Sequence, residues 1–207
     1  MKRHLVAALA VAGLAASILP TQAGTIVDDW ASIQRPAAPK LKAVKADAKT
    51  TALLMLDFMH QNCGKREACV ASLPAVKKLL AAARAAHATV IYSTIPHTTT
   101  KDVLDLVAPQ ADEAYVTSGP DKFLGTDLEQ MLKDKGIKTV ITVGTAADGA
   151  VLYTASGAAL RGMNVIVPVD GMSSASRYAD LVTTWLFTDA PLVSKKVTLT
   201  SIDMVKF

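Results

Sequence analysis

Thr51-Ala52-Leu53-Leu54-Met55-Leu56-Asp57 is an almost continuous apolar run that ends on a carboxylate. A strand with one wet face alternates apolar and polar residues. A run without that alternation fits a strand covered on both faces, as in the middle of a parallel sheet. Comparable short runs follow at 88–92, 114–116, 137–143, 165–169 and 197–202. Segments with helical spacing lie between them. Ser72 is read as the cap of one helix with Pro74 near its start, and Val76, Leu79, Leu80 and Ala83 form its apolar stripe. A short helix is expected near 102–107. Thr126 is read as the cap of a helix over 127–135, with acids in its first turn, Lys at its end and Gly136 as its stop. Further helices are expected at 148–160 and 177–187. This alternation predicts an α/β fold: a three-layer, mostly parallel, Rossmann-like sheet flanked by helices, in a single domain. Ligands of such sheets bind beyond the carboxyl ends of the strands, which singles out Asp57, the loop before Phe123 and residues 144–150.

Upstream of this pattern, Lys2-Arg3-His4 precedes an apolar stretch over 5–19, and Pro20-Thr21-Gln22-Ala23 ends in small residues. That order predicts a signal peptide over residues 1–23, and so a periplasmic or secreted protein. The apolar stretch is short of the ~20 residues a membrane span requires. Residues 24–50, rich in Ala, Pro and Lys, read as an extended N-terminal arm, and 51–207 as the domain itself. Removing Lys2 and Arg3 from the formal charge of +4 leaves +2 on the remaining 184 residues (207 − 23). The basic residues are scattered and the aromatics few, so no nucleic-acid partner is expected. No membrane partner is expected once the signal is removed.

Cys63 and Cys69 are separated by five residues. In an oxidising compartment the favoured reading is a local disulfide, stabilising by about 2 kcal/mol for so small a ring. A metal pair or a reactive thiol are the rival readings, but no Cys-x-x-Cys or His-x-x-x-His spacing supplies further ligands. His60 and His97 lack a partner at ligand spacing and read as loop residues. Gly144 and Gly149 have Walker-like spacing without the following Lys-Ser/Thr, so no phosphate loop is assigned.

Three stretches together resemble the isochorismatase-like (cysteine hydrolase) family, and the likeness runs over about residues 51–202. Leu53-Leu54-Met55-Leu56-Asp57-Phe58-Met59 is similar to the family's first strand with its catalytic Asp. Phe123-Leu124-Gly125-Thr126-Asp127-Leu128, followed by 136–144, is similar to its central helix and strand. Thr145-Ala146-Ala147-Asp148-Gly149-Ala150 and the residues after it are similar to its nucleophile turn. The resemblance implies an Asp, a Lys and a Cys, with the thiolate attacking a carbonyl or nitrile. Asp57 stands at the Asp position. Ala150 stands where the Cys is expected, and the family's Lys-x5-Phe-x2-Thr spacing points to Thr117, with Lys122 five positions later. The isochorismatase branch carries Gly at the Cys position and hydrolyses a vinyl ether, with the Asp as general acid. A buried strand-end Asp57 would have the raised pKa that role needs. The resemblance also implies a cis Thr145–Ala146 peptide in a turn that directs backbone amides at the substrate.

Two readings follow. One is a small-molecule hydrolase using Asp57-centred acid–base chemistry, with Lys122 as an auxiliary cation and Thr117, Thr145, Ala146 and Ala150 lining the substrate site. The other is a catalytically inactive binding protein that keeps fold and pocket. An Ala introduced at 150 into an ordinary cysteine hydrolase is a third, opposed by the simultaneous lack of Lys at 117. No metal or other cofactor is implied. The expected partner is a small-molecule substrate or ligand, and self-association into a homo-oligomer is left open.

Overall fold

The structure is a computed structural model that describes residues 24–207; the expected signal segment lies outside them. The chain divides into two units, Met1–Pro36 and Ala37–Phe207. In the first, a single helical turn, α1 (Ile26–Asp29), is tied at its start by the Thr25 N–H donating to Asp28 Oδ2 at 2.8 Å. Part of the arm read as extended is therefore helical.

In the second unit the elements are β1 (Val44–Lys45), β2 (Thr51–Leu56), α2 (Glu67–Ala85), β3 (Thr89–Thr94), β4 (Ala114–Thr117), α3 (Leu128–Asp134), β5 (Thr139–Thr145), α4 (Leu152–Leu160), β6 (Asn164–Pro168), β7 (Met172–Ser173), α5 (Arg177–Asp189), β8 (Val197–Thr200) and β9 (Val205–Lys206). The main sheet runs β4-β3-β2-β5-β6-β8, with β7 on the end of β5, and every pairing in it is parallel. β2 lies in its interior with all six residues buried, as its unbroken apolar run predicts. Leu54, Leu56, Ile91 and Val140 pack on one face with the α4 and α5 side chains Ala155 and Phe187. Leu53, Met55, Tyr92, Ile141 and Val143 pack on the other against Val76, Leu79 and Leu80 of α2. The two cores and the sheet between them form the three layers.

Three details differ from the sequence reading. α2 starts at Glu67, ahead of Ser72, so Pro74 lies inside it. The amides of Cys69 and Val70 already donate to the Arg66 carbonyl, and the Ser72 hydroxyl donates to the Cys69 carbonyl instead of capping. The segment at 148–160 is not one helix: a wide turn over Ala147–Val151, with Gly149 outside helical dihedrals, precedes α4. Finally, the arm contributes β1, parallel to β9, and the Lys42 N–H donates to the Leu199 carbonyl at 3.0 Å. Residues 37–50 are thereby pinned to the same unit as 51–207.

Candidate active site

Asp57 follows β2 directly, with a left-handed φ of 55°, and is buried. On β3, Ser93 pairs in register with Leu56, the residue before Asp57. The Ser93 hydroxyl donates to Asp57 Oδ1 at 2.6 Å and accepts the Asp57 N–H at 3.2 Å. The other carboxyl oxygen, Oδ2, lies 2.8 Å from Lys122 Nζ. The Lys122 side chain is 0% exposed, and its ammonium also donates to the Ser118 carbonyl at 3.1 Å. Burial pushes the Asp57 carboxyl above the usual carboxylate range, against the opposing pull of Lys122 and the Ser93 hydroxyl.

The loop that delivers Lys122 is held from several sides. The Lys122 N–H donates to Thr154 Oγ1 at 3.2 Å, and that hydroxyl donates to the Pro120 carbonyl. Its carbonyl accepts the Thr126 hydroxyl, which in turn accepts the Leu128 N–H. Phe123 is buried beside it under the Arg161 guanidinium, 4.4 Å from the ring centroid. A lysine five residues beyond the position the family spacing indicates therefore reaches the aspartate. Thr117, at that position, is exposed and shares a 2.7 Å hydrogen bond with Thr94. It makes no recorded bond to Asp57 or Lys122.

On the other side of β2, Gly144 pairs with Leu56 at a φ of 152°. A Cβ there would sit 2.2 Å from the Leu56 carbonyl oxygen, so this approach of β5 to the residue before Asp57 requires glycine. The next peptide bond, Thr145–Ala146, is cis. Thr145 Oγ1 donates to the Ser173 carbonyl at 3.0 Å and accepts from Arg66 Nη1 at 2.7 Å. The Asp148 N–H donates to Ser174 Oγ, which donates back to the Asp148 carboxylate. Ala150 is buried in the wide turn before α4 and presents only a methyl group. Thr145 ends β5, the strand beside the one that leads into Asp57, Ala146 follows it, and Ala150 lies in the turn after that.

Cys63 and Cys69 are bonded to each other, with their Cα atoms 5.2 Å apart. Cys63, though six residues past Asp57, has no thiol to offer. His60 and His97 are exposed, and no cluster of three or more metal-ligating side chains occurs among the described residues. Two polar side chains of the site escaped the sequence reading. Ser93 is the first polar side chain after the apolar residues Val90-Ile91-Tyr92, a legible signal beside an Asp57-ended strand. Arg66 lies inside the disulfide ring with nothing in its spacing to connect it to Thr145, 79 residues away.

The isochorismatase-domain family model matches residues 51–185. A secreted isochorismatase effector of Verticillium dahliae is 34% identical over 115 residues, which is 49% of this chain and 60% of that protein. The match thus spans less than two thirds of that relative's length. A cysteine hydrolase from Pseudomonas syringae pv. phaseolicola 1448A superposes with a TM-score of 0.68 at 19% identity, over 81% of this chain and 95% of that one. The N-carbamoylsarcosine amidase of Thermoplasma acidophilum gives a TM-score of 0.65 at 22% identity, over 74% and 97%. At these identities the likeness is one of fold.

Proposed function

The chain belongs to the isochorismatase-domain family, and from that premise we propose that it is an exported small-molecule hydrolase whose chemistry centres on Asp57 and uses no cysteine nucleophile. The observation that carries this reading is the buried Lys122–Asp57 pair at 2.8 Å. Burying two opposite charges gives little net stability compared with apolar packing, so such a pair at the open end of a parallel sheet points to chemistry.

The arrangement suits a general acid. Burial favours a protonated Asp57, which donates its proton to the substrate. Water adds to the resulting cation, and its lost proton returns to the carboxylate. In between, the charged carboxylate is stabilised by Lys122 Nζ and Ser93 Oγ. The adduct then collapses, the proton of its new hydroxyl passing to the departing ether oxygen as that C–O bond breaks and a carbonyl forms. Ala150, with only a methyl group in the turn before α4, offers no covalent route. Thr145 and Ala146 line the other side, and Thr117 lies at the rim. A vinyl ether suits this sequence better than an amide, because protonation alone makes it electrophilic.

Export is supported by the Cys63–Cys69 disulfide and by the secreted relative. Under the same reading residues 1–23 are removed, 24–50 form the arm and 51–207 the hydrolase domain. The methyl group of Ala150 favours the second reading, a binding protein without turnover. Screening vinyl ethers, amides, esters and nitriles against the mature protein separates the two: hydrolysis of at least one class is expected, and none in any class overturns the hydrolase.

A further inference from the structure

We infer that Arg66 is the specificity residue of this site and that the ligand it selects carries a carboxylate. The inference rests on the location proposed for the site, though not on turnover there. β2 and β5 run side by side with Leu56 opposite Gly144, so Asp57 and Thr145 leave the sheet on adjacent strands, about 5 Å apart in backbone spacing. Arg66 reaches the Thr145 hydroxyl from the start of α2 with one N–H, at 2.7 Å. Among the described residues that is the one side-chain hydrogen bond of a group with five N–H donors. Among the described residues no carboxylate forms an ion pair with it. The side chain is half-buried, so it is ordered yet still open to solvent.

The other cation of the site cannot take this role. Lys122 is wholly buried and its ammonium is engaged by Asp57 and Ser118. Lys122 and Asp57 balance each other when ionised, and Arg66 then leaves the site with one uncompensated positive charge. A planar guanidinium with a free edge matches the two oxygens of a carboxylate in a bidentate pair. Next to it, Ser173 is paired in register with Thr145 and buried, and its hydroxyl has no hydrogen-bond partner among the described residues. A second polar group is therefore available beside the first.

The backbone of Arg66 is fixed by the residues that the disulfide joins. Its N–H donates to the Cys63 carbonyl at 2.9 Å, and its carbonyl accepts the Cys69 N–H at 3.0 Å. The Cys63–Cys69 bond closes that ring. A long, flexible side chain is thus launched from a rigid base, which reduces the ordering needed when a ligand binds.

The test compares acids with their neutral amides: acetate with acetamide and benzoate with benzamide, titrated by NMR into the mature protein and its variants. The wild type is expected to bind at least one acid about tenfold or more tightly than its amide, the usual range for a charge-assisted pair. Arg66→Gln is expected to bring each pair to within about twofold, and Arg66→Lys to retain part of the preference. The Cys63→Ser/Cys69→Ser variant is expected to weaken the acids and leave the amides unchanged. Equal affinity within every pair for the wild type, or an undiminished preference in Arg66→Gln, overturns the inference. Turnover by the wild type separates it from the hydrolase reading: a wild type that prefers acids through Arg66 but hydrolyses nothing in the substrate screen defeats that reading alone.

Discussion

Lys122→Met tests the buried pair through stability. The substitution keeps most of the side-chain volume and removes the ammonium that is 2.8 Å from Asp57 and 3.1 Å from the Ser118 carbonyl. Ser118 is itself buried, so its carbonyl loses a donor that water cannot readily replace, at about 1–3 kcal/mol. An ionised Asp57 left without its partner brings the total to about 3–5 kcal/mol. The carboxyl can avoid part of this by holding its proton. Asp57 is already above its ordinary value because burial outweighs Lys122, and removing Lys122 raises it further. A raised folded value gives stability that is fully present below the unfolded carboxyl's pKa of about 3.9 and lost as pH rises through the elevated one. The gap between variant and wild type should therefore be about 1–3 kcal/mol near pH 4 and about 3–5 kcal/mol at pH 8, where it corresponds to a Tm difference of roughly 6–20 °C. Urea unfolding at the two pH values, followed by far-ultraviolet circular dichroism, measures it. A loss under about 1 kcal/mol at pH 8, or a gap that does not narrow in acid, refutes the reasoning.

Three further outcomes are expected. Gly144→Ala places a methyl group 2.2 Å from the Leu56 carbonyl at a φ of 152°, and should cost about 3 kcal/mol or more in denaturant unfolding. Thiol titration of unfolded, unreduced protein should find no free thiol, and Cys63→Ser/Cys69→Ser should lower stability by about 2 kcal/mol. Ala150→Cys should yield a thiol that iodoacetamide alkylates faster at pH 7 than it does an unstructured cysteine peptide, since the thiol would sit in the turn that opens α4, where the helix N-terminus favours a thiolate. Because Lys122 already reaches Asp57, no added lysine at 117 should be needed.

The fold was legible because its strongest signals are local. The unbroken run of β2, the strands at 137–143 and 165–169, and Gly136, which takes a φ of 65°, declare themselves within a few residues. The start of α2 was less legible. Ser72 and Pro74 are the sequence features of a helix start, but the Arg66 carbonyl begins the helix earlier with bonds to Cys69 and Val70. The site was legible only where it depends on strand ends. Asp57 and the turn at Thr145 terminate strands and stand out. Lys122 depends on the path of an irregular loop held by Thr154 and Thr126, and residue spacing does not record that path. Arg66 depends on a contact across 79 residues, made through a ring that the sequence indicates only as a pair of cysteines.

The ratio of kcat/KM between the wild type and Asp57→Asn, on whichever substrate the wild type hydrolyses fastest, tests the central claim most directly. The two proteins are to be compared at a pH where both are fully folded. A positioned proton donor contributes on the order of 10² to 10⁴ to the rate, so the ratio should be about 10² or greater. A ratio near one would place the chemistry elsewhere and contradict the account.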